Sequence, residues 1–213
     1  MQNQIKDVRD EADPLVSGAT RIVLRPIANP LPLGFLALGA ATLLLSGLQL
    51  GWLPAAQGRQ VAIIILTFVA PLQLVASIFG FLARDAVAGT GMGILTGTWT
   101  SVSLVMWSSP PGSTSKALGM VLLIAAMSIT VPAIAASLGK VVATAVLGTT
   151  AIRFAATGIS QLTGSTSWKE AAGVIGVVLF VLATYAATAF LLEDATWNHA
   201  RSPCRSRWRI SSS

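Results

Sequence analysis

Six long apolar runs constrain this 213-residue chain more than anything else in it. They read as Leu31–Leu50, Val61–Leu82, Val87–Trp107, Ala117–Leu138, Val141–Gln161 and Ala171–Leu192. A helix rises about 1.5 Å per residue, so a run of about 20 residues crosses roughly 30 Å of hydrocarbon. Strands of a membrane barrel would be about 10 residues long and strictly alternating, which these runs are not. Turn residues separate the runs at Gly51-Trp52-Leu53-Pro54, Ser108-Ser109-Pro110-Pro111-Gly112 and Thr163-Gly164-Ser165. Runs two and three are joined only by Ala83-Arg84-Asp85-Ala86, which forces them to be antiparallel neighbours. The fold class expected is all-α: a polytopic membrane protein built as a six-helix transmembrane bundle.

Charge supports that reading. Only 10% of residues are charged and the mean hydropathy is +0.73, whereas a soluble domain carries about 25% charged residues. Three regions are expected: a cytoplasmic, disordered N-terminal tail over 1–28, a six-span domain over 29–194 and a basic cytoplasmic tail over 195–213. Residues Met1 to Ala28 contain no apolar core of a signal peptide. With the N-terminus inside, ten of the 14 basic residues fall inside, three fall outside (Arg59, Lys116 and Lys169), and Arg153 lies within a span. The positive-inside rule then places both termini in the cytoplasm of a multi-pass protein of the plasma or inner membrane. The same bias accounts for the basic balance without invoking nucleic acid. The C-terminal Arg/Ser stretch reads either as disordered or as lying on anionic lipid.

Chemistry is narrowed by scarcity. The one His, His199, and the one Cys, Cys204, both lie past the last apolar run. A zinc site needs about four ligands, so no metal or cofactor is expected, nor an intramolecular disulfide. No carboxylate sits in the middle of a span, which removes the usual intramembrane proton relay. Nucleophile, base and metal sets are all missing, so no enzyme is expected.

Arg153 stands out. It lies 12 residues past Val141, about 18 Å along its helix. An Arg near a span's centre costs roughly 2.5–3.5 kcal/mol on an insertion scale. It either snorkels to the nearer surface or faces a wet interior where it attracts an anion. Thr149, Arg153, Thr157 and Ser160 follow a helical path, with Thr150 and Gln161 beside it. Weaker polar stripes run through Thr42, Ser46 and Gln49, through Gln73 and Ser77, and through Thr96, Thr100 and Ser103, with Thr98 and Trp99 between. Such stripes either surround a narrow pathway or join helices by hydrogen bonds. Gly89, Gly93 and Gly97 form small-xxx-small steps for close helix packing, within one chain or between chains. Pro71 and Pro132 are expected to kink their helices.

The first span opens Ala28-Asn29-Pro30-Leu31-Pro32-Leu33-Gly34-Phe35. Asn29 suits an N-cap and Pro30 the first helical position. Asn29-Pro30-x-Pro32-Leu33-Gly34 resembles the Asn-Pro-x-Pro-Leu-Gly signature of the acetate uptake transporter family, the succinate–acetate permeases. Thr42-Leu43-Leu44-Leu45-Ser46 matches that family's continuation of span one. Gln73-Leu74-Val75-Ala76-Ser77 is similar to its Gln-x-x-Ala-Gly stretch. Trp168 through Asp194, with Gly173, Gly176 and Tyr185, resembles its last span. The resemblance implies six spans with cytoplasmic termini, a homo-hexamer with a pathway through each subunit, and movement of acetate or similar small carboxylates, proton-coupled or channel-like. It places Asn29 beside the pathway. The family's Phe, Tyr and Leu constriction falls here at Leu38, at Thr98 or Trp99, and near Leu147 to Thr149, and an acidic residue of its last span falls at Phe190. These departures imply a wider or differently polar opening.

The expected function is therefore a transporter or channel for small organic anions. A pore for a neutral solute and a non-transporting membrane assembly protein stand as alternatives. The pathway residues expected are Asn29, Leu38, Thr42, Gln73, Thr98, Trp99, Thr149, Arg153, Thr157 and Gln161. The partners expected are a small carboxylate, the bilayer and further copies of the chain.

Overall fold

Apolar runs become helices here because lipid leaves the backbone no other way to satisfy its polar groups. The computed structural model describes residues 28–200, with side chains as far as Thr196. Six helices follow: α1 Leu31–Gln49, α2 Ala55–Leu82, α3 Ala86–Ser108, α4 Lys116–Ala136, α5 Val141–Thr163 and α6 Thr166–Ala200. Five are long and apolar enough to cross a membrane by themselves. The sixth, α3, has the length at 23 residues, but Gly, Thr and Ser dilute its apolar character. It is a span by virtue of its place in the bundle. Residues 1–27 and 201–213, with Cys204, lie outside the described residues, as does the His199 side chain.

Each helix packs on its neighbours in the chain, and α6 closes back on α1, so the six form a ring in sequence order. Across the ring, α1 and α3 touch directly, and side chains bridge α1 and α5. We call the end where α1 begins the proximal face and the end where it finishes the distal face.

Small residues set several contacts. A Cβ on Gly80 would lie 2.6 Å from the Gly89 backbone nitrogen, and one on Gly93 would lie 3.1 Å from Ser77 Oγ. Two of the three stripe glycines therefore join α2 to α3 within one chain, while Gly97 has open space before it. Likewise Gly119 of α4 and Gly158 of α5 bring their backbones together, each Cβ position lying 3.0 Å from the other's carbonyl oxygen.

The prolines behave differently from one another. Residues Ile65–Val69 form a π-helical turn just before Pro71, and Ala70 donates its N–H to the Ile65 carbonyl. A proline inside a helix removes one hydrogen bond and crowds the preceding turn, and the wider turn relieves that crowding in α2. Pro132 is accommodated within the continuous helix α4.

Helix ends are well made. Pro30 already has helical dihedrals (φ −80°, ψ −14°), and Asn29 Oδ1 accepts the Leu31 N–H at 3.0 Å. Pro30 thus holds the cap position, one residue later than the sequence suggested, and Asn29 just outside it satisfies the free N–H of Leu31. Gly164 closes α5 in the left-handed region at φ 70°, where a side chain would be strained. Helix α6 runs six residues beyond Asp194, further than the apolar run alone implied.

Candidate functional site

A cavity of about 330 Å³ opens at the distal face, between the ends of α1, α3 and α5 and the start of α4. The loop from Ser109 to Ser115 forms its rim, together with Gly164–Thr166 and Lys169. Leu45, Leu48, Val102, Val105, Met106, Leu118 and Leu122 make apolar walls on α1, α3 and α4. Thr157, Ser160 and Gln161 make a polar wall on α5, and Trp99, Arg153 and Phe154 lie deepest.

Arg153 is 1% exposed. Its Nη2 donates to Gln49 Oε1 at 3.2 Å. Gln49 Nε2 reaches Thr157 Oγ1 at 3.5 Å, and Thr157 Oγ1 donates to the Arg153 carbonyl at 2.9 Å. A closed polar circuit thus ties α1 to α5. Arg153 Nη1 has no partner, and neither has Ser46 Oγ. Both lie against Gly176 of α6, where a Cβ would overlap the guanidinium and the Ser46 hydroxyl. Glycine at 176 is what leaves space for the cation. No acidic residue pairs with Arg153 among the described residues, where the only ion pair is Lys140 with Asp85. A buried charge without a counter-charge is costly.

Trp99 packs edge-on against Phe154, with ring centroids 5.5 Å apart. Its indole N–H is buried and also unpartnered. Ser103 Oγ, one turn further along α3, is in the same condition. Two donors, Arg153 Nη1 and Trp99 Nε1, and two hydroxyls, those of Ser46 and Ser103, thus lie unpartnered in this part of the bundle.

Four expected pathway residues meet at this cavity: Trp99, Arg153, Thr157 and Gln161. Gln161 also fixes the rim, its Oε1 accepting the Ser115 N–H at 2.8 Å. The others lie elsewhere. Leu38 and Thr42 are fully buried on α1, and Thr42 Oγ1 donates to the Gly39 carbonyl. Gln73 Nε2 donates to the Gly34 carbonyl at 3.4 Å, leaving its Oε1 unpartnered. Thr98 donates to the Ile94 carbonyl. Thr149 turns away, donating to the Ala145 carbonyl, while its neighbour Thr150 takes the buried side. Asn29 sits at the proximal end, where its side chain accepts the Leu31 N–H.

Sequence reasoning did not single out Phe154, Gly176 or the rim loop as site residues. Gln49 and Ser46 were visible as a polar stripe. Gly176 carried no signal of its role, because a gap is made by what stands opposite it.

Between this floor and the proximal face the ring is filled. Leu38, Met92, Ile129 and Leu147 lie about 10 Å from the proximal helix ends and are at most 1% exposed. Below them Asp85 accepts the Ala88 N–H at 3.1 Å and pairs with Lys140 of the α4–α5 junction. Among the described residues, no group of His, Cys, Asp and Glu has the makings of a metal site.

A ring of six membrane helices around a one-sided cavity with a cationic floor defines a class: a polytopic helical membrane protein organised around its own axis. The family match is more particular. Residues 12–202 match the GPR1/FUN34/yaaH family, and the chain belongs to it. Among solved structures, the chain is similar to the bacterial acetate channel SatP, with a TM-score of 0.70 at 21% identity. The likeness covers 79% of this chain and 94% of that one, and it shows a shared fold. No curated protein matches the chain.

Proposed function

We propose that the chain moves small carboxylate anions through its own helix ring, entering or leaving at the distal cavity. The observation that carries this is Arg153: buried, without an acidic partner among the described residues, and part of the cavity floor. An unpaired cation favours an anion over a neutral solute. The acetate channel SatP shares this fold, which supports acetate-like acids as the substrate class. Passage would require the layer of Leu38, Met92 and Leu147 to part. The role is transport and not catalysis.

The same reading extends to assembly and placement. The outward faces of α2, α4 and α6 carry large exposed apolar side chains, among them Phe68, Phe79, Met127, Val131, Val178 and Tyr185. These suit contact with lipid and with further copies of the chain, as a hexamer. A plasma or inner membrane with the proximal face in the cytoplasm fits the basic residues. Of the ten on that side, Arg84 and Lys140 are described and the other eight belong to the tails.

Uptake of labelled acetate by proteoliposomes tests the proposal. The wild-type chain should exceed empty vesicles, and Arg153→Gln should reduce uptake at least about tenfold, since hydrogen bonds to charged groups are worth about 1.5–3 kcal/mol. Uptake no faster than in empty vesicles for acetate and related acids would sink the idea. Labelling of single cysteines placed at Arg84 and Ser113, each in a chain carrying Cys204→Ser, checks the orientation.

A further inference from the structure

Resting on the anion reading above, we infer that the distal cavity selects an aliphatic monocarboxylate longer than acetate, and disfavours dicarboxylates. Its volume is the first reason. At about 330 Å³ it far exceeds what a two-carbon acid fills, given that a cavity of about 150 Å³ holds a six-carbon ring. An acid of about four to eight carbons fits with room for water. The second reason is the division of its lining. The floor is made by Arg153, which carries the charge, and by Trp99, whose indole N–H has no partner. From floor to rim, α1, α3 and α4 present Leu45, Leu48, Val102, Val105, Leu118 and Leu122. A carboxylate directed to the floor leaves its chain against these side chains.

The third reason is charge number. Among the described residues, Arg153 is the one buried cation. The next cation of the lining is Lys169, exposed at the rim. From Arg153 the helix runs ten residues to Thr163, about 15 Å. The second carboxylate of a four-carbon diacid would stop well short of that rim, among Val102, Leu118 and Leu122. Ser160 and Gln161 offer it hydrogen bonds but no charge, and an ionised group there is costly without a counter-charge.

Calorimetric titration of the purified full chain at neutral pH, with acetate, butyrate, hexanoate and succinate, tests the inference. Each methylene buried should tighten binding about fourfold, so butyrate should exceed acetate by about tenfold or more. Succinate should bind at least about tenfold more weakly than butyrate. Leu122→Asn, and the nearly isosteric Val102→Thr should the first not fold, should flatten the chain-length series. Less than a twofold gain from acetate to hexanoate, or succinate binding as tightly as butyrate, overturns the inference. If acetate uptake depends on Arg153 while the series is flat, this inference falls and the anion reading stands. If none of the four acids binds and none is taken up, both fall.

Discussion

Around the distal cavity the protein leaves Ser46 Oγ, Trp99 Nε1, Ser103 Oγ and Arg153 Nη1 without partners. Toward the proximal face, by contrast, Asn29, Ser77 and Asp85 are engaged, and of the buried side-chain atoms among the described residues there only Gln73 Oε1 is not. The proximal half is held by short backbone approaches, by the Ser77 hydroxyl donating to the Gly89 carbonyl at 2.7 Å and by an ion pair. It is built for closure. The distal half forgoes hydrogen bonds and a counter-charge, as the proposed anion route requires. Buried polar groups in proteins are usually satisfied, so a cluster that is not marks where a ligand would complete the structure.

The largest effect is expected at the centre of that contrast. Arg153→Met keeps the volume and removes the unpaired charge. Uptake should fall by about 10- to 100-fold, by loss of a charged hydrogen-bond donor. Stability should rise, because replacing buried ions by apolar residues of similar size is often stabilising by about 1–4 kcal/mol. Thermal unfolding in detergent, run beside the uptake assay, reads both. A variant that lost stability together with uptake would show that Arg153 serves the fold.

Gly176→Ala probes the same corner from α6. Its Cβ would overlap Ser46 Oγ and the Arg153 guanidinium, so the guanidinium must shift. Overpacking of this kind costs about 1–3 kcal/mol, and uptake should fall with it. Combined with Arg153→Met, whose side chain is flexible, the cost should shrink, giving a coupling of about 0.5–3 kcal/mol. Strict additivity would place the Gly176 clash elsewhere.

At the proximal end the expected effects are smaller and fall on stability alone. Asp85→Ala removes the α3 cap and the partner of Lys140. A lost cap costs about 1 kcal/mol, and a partly exposed pair adds at most about 1 kcal/mol. Thermal unfolding should reveal that loss, while uptake, per folded molecule, stays near wild type.

How far these halves were readable in the sequence differs too. Long apolar runs and turn residues specified all six helices, because lipid permits little else; even α3, diluted by Gly, Thr and Ser, was legible as Val87–Trp107 and spans Ala86–Ser108. The π-helical turn before Pro71 was not legible. At the site, Arg153, Thr157 and Gln161 were legible because a charge on a polar stripe is conspicuous. Thr149 shows the limit of a four-residue step: a helix turns 100° per residue, so Thr149 and Thr150 fall on different faces and only Thr150 is buried. Most hydroxyls of the stripes, such as Thr96, Thr100 and Thr150, bond their own preceding turn. Such bonding carries no functional meaning.

The finest distinction is within the glycine stripe of α3. Gly89 stands against Phe81 and the α2 backbone, whereas a Cβ on Gly97 would meet nothing within 4 Å. Inside an isolated chain, Gly97→Ala should therefore be neutral or stabilising by up to about 1 kcal/mol, because alanine restricts the helix less unfavourably than glycine. Gly97 is nonetheless exposed on the outside of the ring, where a second copy of the chain could approach as closely as α2 does at Gly89. Thermal unfolding and cross-linking of the same variant separate the two situations. Unchanged assembly with equal or higher stability would mean that Gly97 faces lipid. Loss of assembly, with the isolated chain still folded, would mean that the stripe holds α2 at one end and a neighbouring subunit at the other.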